Sequence, residues 1–260
     1  MIIELFGPPG VGKTTFAHAL AARLRERGFG ATLALSYRPS EDLTVADSSN
    51  TVRPWFPALH RIARPIIESM TAARRLPRDS REARAAIALR NLFPTHDVVM
   101  TLKLRQYMLR LSSAWHDAAR ADDMVLFDQA FVQLICTLAS FSCAARSDDL
   151  DAALDTVPQA DLLVQLTAPL ETLLFRLGKR RQCLSTVEGL LEPDMETSLK
   201  SAKIAERLQN FLQQRNWTSV CVESSDRRSL HAAVGKVEEI IGGMRNRPVT
   251  LSGAAFKETA

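Results

Sequence analysis

Short apolar runs alternate with stretches of helical period along this chain, the pattern of an α/β fold with a mostly parallel sheet. Ile2–Phe6 reads as the first strand. Thr15–Arg27 reads as the first helix, with Phe16, Ala19, Leu20 and Leu24 on one stripe and Gly28 ending it. Ala31–Ser36 is the second predicted strand, and Met124–Phe127, Leu162–Leu166 and Ser219–Val222 are three more. Each of these three is short and apolar, as strands covered on both faces are. The long interval between the second and third strands carries no strand pattern. Its Tyr37–Pro57 stretch is polar and proline-punctuated, a loop, and helices follow over about Ala58–Leu76, Ser80–Leu92 and His96–Arg120. Asp79 or Ser80 caps the second of these, and Pro94 separates it from the third.

Between the first strand and first helix runs Gly7-Pro8-Pro9-Gly10-Val11-Gly12-Lys13-Thr14-Thr15, which satisfies G-x-x-x-x-G-K-[ST] at every fixed position. Backbone N–H groups can turn inward around a polyphosphate only where side chains do not block them, which is why the glycines matter. Lys13 is placed to neutralise β- and γ-phosphates, and Thr14 to hold Mg²⁺ through its hydroxyl. The start of the following helix adds partial positive charge. The expected ligands are ATP and Mg²⁺.

Met124-Val125-Leu126-Phe127 ends in Asp128, at the C-terminal end of a strand, where ligands sit in open α/β sheets. Asp128 could hold Mg²⁺ with Thr14, take a proton from an attacking hydroxyl, or cap the helix that begins near Ala130. The next residue is Gln129, where hydrolytic motors usually carry a second acid. No N-K-x-D segment follows a late strand, which argues against a guanine-specific switch. Pro169-Leu170-Glu171 opens a helix with Leu170, Leu173, Leu174 and Leu177 on one face, leading to Arg176, Lys179, Arg180 and Arg181. These cations either complement the helix dipole or reach a transferring phosphoryl group. A loop over Gln182–Asp194 then precedes a helix over Met195–Arg215, the layout of a lid.

These pieces together, namely Gly7 to Thr15, the strand ending in Asp128, and Leu162 through Pro169-Leu170-Glu171 to Arg176 and Arg180, resemble the P-loop kinase family that contains thymidylate kinase and related nucleoside and nucleotide kinases. The resemblance implies a P-loop NTPase fold: a five-stranded, mostly parallel sheet flanked by helices, with a helical substrate-side insertion at about 58–120 and a lid at about 179–195. The domain would span 1–243, with a loose tail over 244–260. It implies an ATP-dependent phosphotransferase acting on a nucleotide, nucleoside or other small-molecule acceptor. Lys13, Asp128, Arg176, Arg180 and Arg181 would serve the transfer. Thymidylate kinases place an acceptor-gripping arginine on the helix before the acidic strand, and Arg105 occupies the corresponding helix. Arg38 ends the second strand, where relatives contact the acceptor, and Gln129 would orient it. Where thymidylate kinases usually have Asp-Arg and deoxynucleoside kinases Glu-Arg, this chain has Asp128-Gln129, so the acceptor stays open.

Composition bounds the rest. The chain has 260 residues, 46% apolar and 24% charged, with a net charge of +4, ordinary for a soluble globular protein. The arginines between Arg61 and Arg90 carry no interleaved aromatics, which disfavours a single-strand stacking platform and nucleic acid as partner. They leave an alternative, an ATPase switch acting on a macromolecule. Four cysteines without metal spacing, no membrane-length apolar run, and a first strand leading directly into the glycine loop point to a cytoplasmic protein without a signal peptide. Cys136 and Cys143, seven apart, are expected on one helix face. The helices of Ala58–Arg120 offer either a homodimer face or a cover for the sheet.

Overall fold

The computed structural model describes residues 1–34, 80–94, 98–142, 145–183 and 195–245. The strands β1 (Ile2–Phe6), β2 (Ala31–Ala34), β3 (Met124–Phe127), β4 (Leu162–Thr167) and β5 (Ser219–Glu223) form one sheet in the order β2-β3-β1-β4-β5. All four neighbouring pairs are parallel, so every connection has to cross back over a face of the sheet. The described helices are α1 (Lys13–Glu26), α2 (Arg81–Leu92), α3 (Val98–Ala118), α4 (Phe131–Phe141), α5 (Ser147–Thr156), α6 (Leu170–Cys183), α7 (Met195–Gln214) and α8 (Arg227–Arg245).

Side chains alternate along β1 and so divide the core in two. Ile3 and Leu5 join Leu126, Val164 and Leu166 against Phe16, Leu20 and Leu24 of α1 and Val237 and Ile241 of α8. Ile2 and Phe6 join Val125 and Phe127 on the other face, under α3, α4, α5 and α7. Trp115 of α3 stacks there at 5.2 Å from both Phe127 and Phe131, edge-on to the latter. The Leu162–Thr167 strand sits centrally between β1 and β5, and its first five residues are buried.

A strand forms at each predicted place, the second over Ala31–Ala34 with Leu35 and Ser36 outside the described residues, and β4 and β5 each one residue longer than the apolar run suggests, because Thr167 and Glu223 stay paired in the ladder. Ser80 is the cap of α2: its side chain accepts the N–H of Ala83 at 3.2 Å. Two helices come without a sequence expectation, α5 and α8. Gln182 and Cys183, expected to open the lid loop Gln182–Asp194, instead belong to α6; the rest of that loop, the helix expected at Ala58–Leu76 and the loop over Tyr37–Pro57 lie outside the described residues, as does 246–260. Met244 and Arg245 belong to α8. Helix α4 ends at Phe141, with Ser142 N–H closing on the Leu138 carbonyl; Cys136 is a core residue of that helix, and Cys143, expected on the same face, lies outside the described residues.

Candidate phosphate and metal site

The C-terminal ends of β1, β3 and β4 come together at one edge of the sheet, and the glycine loop leaves β1 there. Gly7 has φ +146°, and a Cβ on it would stand 2.4 Å from the Leu166 carbonyl oxygen of the neighbouring strand. The chain can make this turn only without a side chain. Gly12, at φ 100°, turns the chain into α1, and no side chain caps that helix. Its first-turn amides and the positive end of its dipole are therefore directed at whatever occupies the loop. Lys13, buried, folds back to donate from Nζ to the carbonyls of Gly7 at 2.8 Å and Pro8 at 3.1 Å.

Asp128 follows β3 directly and is fully buried. Because β3 is hydrogen-bonded to β1, its end lies beside the start of α1, and Thr14 Oγ1 donates to Asp128 Oδ2 at 2.9 Å. A hydroxyl and a carboxyl oxygen side by side at the mouth of the glycine loop could supply the protein ligands of a Mg²⁺ ion. Magnesium keeps several waters and phosphate oxygens and needs only one or two protein ligands. Among the described residues no cluster of three or more His, Cys, Asp or Glu side chains exists, so phosphate and water oxygens would complete the shell. The residues fit both groups: the glycine path and Lys13 fit a triphosphate, and the Thr14–Asp128 pair fits the metal.

On the α3 side of this pair, the Tyr107 hydroxyl donates to the Gln129 carbonyl at 3.3 Å. Burial, then the nearby carboxyls of Asp128 and Glu4, raise its pKa above the usual tyrosine value, while Arg110 opposes them. Below the loop, Glu4 of β1 accepts the backbone N–H groups of Val132 and Gln133 at 2.6 and 3.1 Å. Burial outweighs these bonds and pushes its pKa up to about 8. The Gln133 side chain in turn accepts the Gly7 N–H at 3.0 Å.

A cleft of about 620 Å³ runs from Lys13, Thr14 and Thr15 past Arg176 to Ser224, Asp226 and Arg227. Arg176 spans it: one guanidinium nitrogen donates to the carbonyls of Val11 and Ser224, each at 3.0 Å, and the other to Ser225 at 2.7 Å. Expected to face a transferring phosphoryl group, Arg176 is found tying the glycine loop to the loop after β5. Arg181 is exposed near the end of α6. The side chain of Arg180 and all of Arg38 lie outside the described residues. Arg105 is also exposed and lines the groove between α2 and α3, with Ala83, Ile87 and Met108. It is two residues from Tyr107, about 200° around the helix, and so faces away from Asp128. Gln129 enters the site through its carbonyl.

Glu4, Tyr107 and Gln133 carried no sequence expectation. Glu4 and Gln133 left a signal nonetheless: each is a polar residue set inside an apolar run, Ile-Ile-Glu-Leu-Phe and Phe-Val-Gln-Leu-Ile, and buried polar groups need partners.

With this geometry in hand, the profile of the ATPase family associated with various cellular activities (AAA) matches residues 3–84. The fold is that of a P-loop NTPase. The matched segment holds β1, the glycine loop, α1 and β2, and stops well short of Asp128. No curated protein matches the chain by sequence. Among solved structures, a deoxyadenosine kinase from M. mycoides with bound dATP is similar at 14% identity, over 93% of this chain and 99% of that one, with a TM-score of 0.48.

Proposed function

We propose that the protein is an ATP-dependent phosphotransferase that passes the γ-phosphoryl group to a small-molecule acceptor, a nucleotide, a nucleoside or another compound. The observation that carries the reading is the 2.9 Å contact between Thr14 and Asp128 at the mouth of the glycine loop. It supports reading the two side chains as a metal-organising pair beside the place where the β- and γ-phosphates would end. Lys13 would leave the Gly7 and Pro8 carbonyls for those phosphates, and the uncapped start of α1 would hold their negative charge. The cleft leading to Ser224 and Arg227 gives the donor nucleoside room. Bound Mg²⁺ would neutralise charge between the phosphates. Asp128 would take the proton of a hydroxyl acceptor; a phosphate acceptor needs positioning only. The acceptor would enter on the Tyr107 and Gln129 side, and Arg180 and Arg181 would close from the lid. A cytoplasmic location goes with this reading.

The test is ADP formation from ATP and Mg²⁺ with a panel of nucleosides, nucleotides and amino sugars. Acceptor-dependent ADP supports the kinase. The AAA match favours a second reading, an ATPase switch, for which turnover would be slow, independent of every small acceptor, and responsive to a macromolecule.

A further inference from the structure

Glu4 stands at the middle of β1, opposite Phe127 in the ladder, and is 1% exposed. Among the described residues it is held by backbone N–H groups alone, those of the first turn of α4, and its second oxygen, Oε2, has no hydrogen-bond partner. An apolar side chain would fill this position without desolvating a carboxyl group. What the carboxyl adds is its grip on Val132 and Gln133. Once the Gln133 backbone is fixed, its side-chain oxygen is aimed at the Gly7 N–H. Gly7 has little latitude of its own, pressed against the Leu166 carbonyl. A continuous hydrogen-bonded path thus runs from mid-strand, through the turn that follows Asp128, to the first residue of the cradle.

We propose that Glu4 is a positioning residue of the phosphate loop, acting through Gln133, which it orients to fix Gly7. The proposal rests on reading that loop as a triphosphate cradle. It concerns how the cradle is shaped, and touches no reacting atom.

The experiment titrates a fluorescent ADP analogue with Mg²⁺ into the full chain and into Gln133→Leu, Glu4→Leu, Glu4→Gln and the Glu4→Leu/Gln133→Leu double variant. Losing one hydrogen bond that shapes the loop should weaken binding about five- to tenfold in Gln133→Leu and in Glu4→Leu. The double variant should be no weaker than either single one, since both break one path. Glu4→Gln, which keeps an acceptor for the two N–H groups, should stay within about twofold of wild type. Should Glu4→Leu not fold, the amide NMR resonance of Gly7 decides: it must move in Gln133→Leu and hold in Glu4→Gln. Unchanged affinity in Gln133→Leu, multiplied losses in the double variant, or an unmoved Gly7 amide overturns the proposal alone. Wild-type protein that binds no analogue overturns the cradle reading and the proposal with it.

Discussion

On the face covered by α1 and α8, the buried acid is Glu238, at the rim between two helices, with Arg23 Nε at 3.0 Å and Arg27 Nε at 2.5 Å. On the opposite face one of the buried acids is Glu4, at the centre of the sheet, gripped by the amides of a helix N-terminus and close enough to Tyr107 to help raise its pKa. Both acids are almost fully buried, yet they do different work. A carboxyl between two half-exposed guanidinium groups pins two helices at low desolvation cost, because water still screens the pair. A carboxyl at mid-sheet with only amide donors is costly to ionise, and its return is orientation of the backbone next to the site. Glu238 ties two helices together; Glu4 is linked through Gln133 to the cradle.

The sharpest way to break this contrast is Asp128→Asn. If the polar face serves the chemistry, turnover should fall about 100-fold or more while ATP affinity falls less than about tenfold, since the amide keeps the contact to Thr14 but binds the metal poorly. Steady-state ADP formation beside equilibrium ATP titration checks it; equal losses would leave Asp128 no role in turnover beyond its contact with Thr14.

Next in size is the pH dependence of folding. With its pKa raised to about 8, Glu4 keeps its proton in the folded chain at pH values where the unfolded chain has already released it. The folded state then binds more protons than the unfolded one, so stability is full below the unfolded pKa and is lost as pH rises toward 8. At ~1.4 kcal/mol per unit the loss amounts to a few kcal/mol across that window. The titratable neighbours do not compete there: burial pushes the Cys136 thiol up to about 12 and Tyr107 higher than usual. Urea unfolding at pH 5 and pH 8 should show this slope in wild type and not in Glu4→Gln. Parallel slopes would return Glu4 to the same class as Glu238.

Much of this layout was legible in the chain because the physics there is local. Short, mostly apolar runs marked all five strands, the glycine spacing marked the cradle, and the acid following Met124–Phe127 came to lie against Thr14. What stayed hidden needs the third dimension or a weaker signal. Helix α5 is short and acid-rich, SDDLDAALDT, so its buried Leu150, Ala153 and Leu154 repeat for too few turns to stand out, although the spacing is helical. Helix α8 opens with Asp226 accepting the Ser229 N–H at 2.7 Å, a cap pattern that could have been read. Arg105 was assigned from its place in the order of elements. Rotation around α3 decides which side chain meets Asp128, and that rotation gives the place to Tyr107. Arg176 was read for its charge, and in the fold its charge is directed at main-chain carbonyls.

That arginine is where the first face reaches the cleft. Helix α6 packs Leu173 into the α1 and α8 core while Arg176 joins the glycine loop to the loop after β5. Arg176→Ala should weaken ADP binding about tenfold, the value of a charged hydrogen bond, with a loss of only a few degrees in melting temperature. Arg181→Ala, at an exposed position, should leave both nearly unchanged and lower turnover alone. An equal effect of the two on binding would place Arg176 with the lid and not with the scaffold.

The smallest effect belongs to the other buried acid. Glu238→Gln keeps an acceptor for Arg23 while weakening the attraction, and both arginines are more than half exposed, at 51% and 60%. Such pairs are worth little and are screened by salt. The variant should therefore melt no more than a few degrees below wild type at low ionic strength. The gap should close in ~1 M salt, where the Debye length shrinks to about 3 Å. ADP affinity should stay unchanged, because Arg23 and Arg27 lie at the end of α1 away from the cradle. A salt-insensitive gap, or a loss of nucleotide binding, would mean that this face also transmits to the site, and the division of labour between the two faces would fail from the side on which it looks safest.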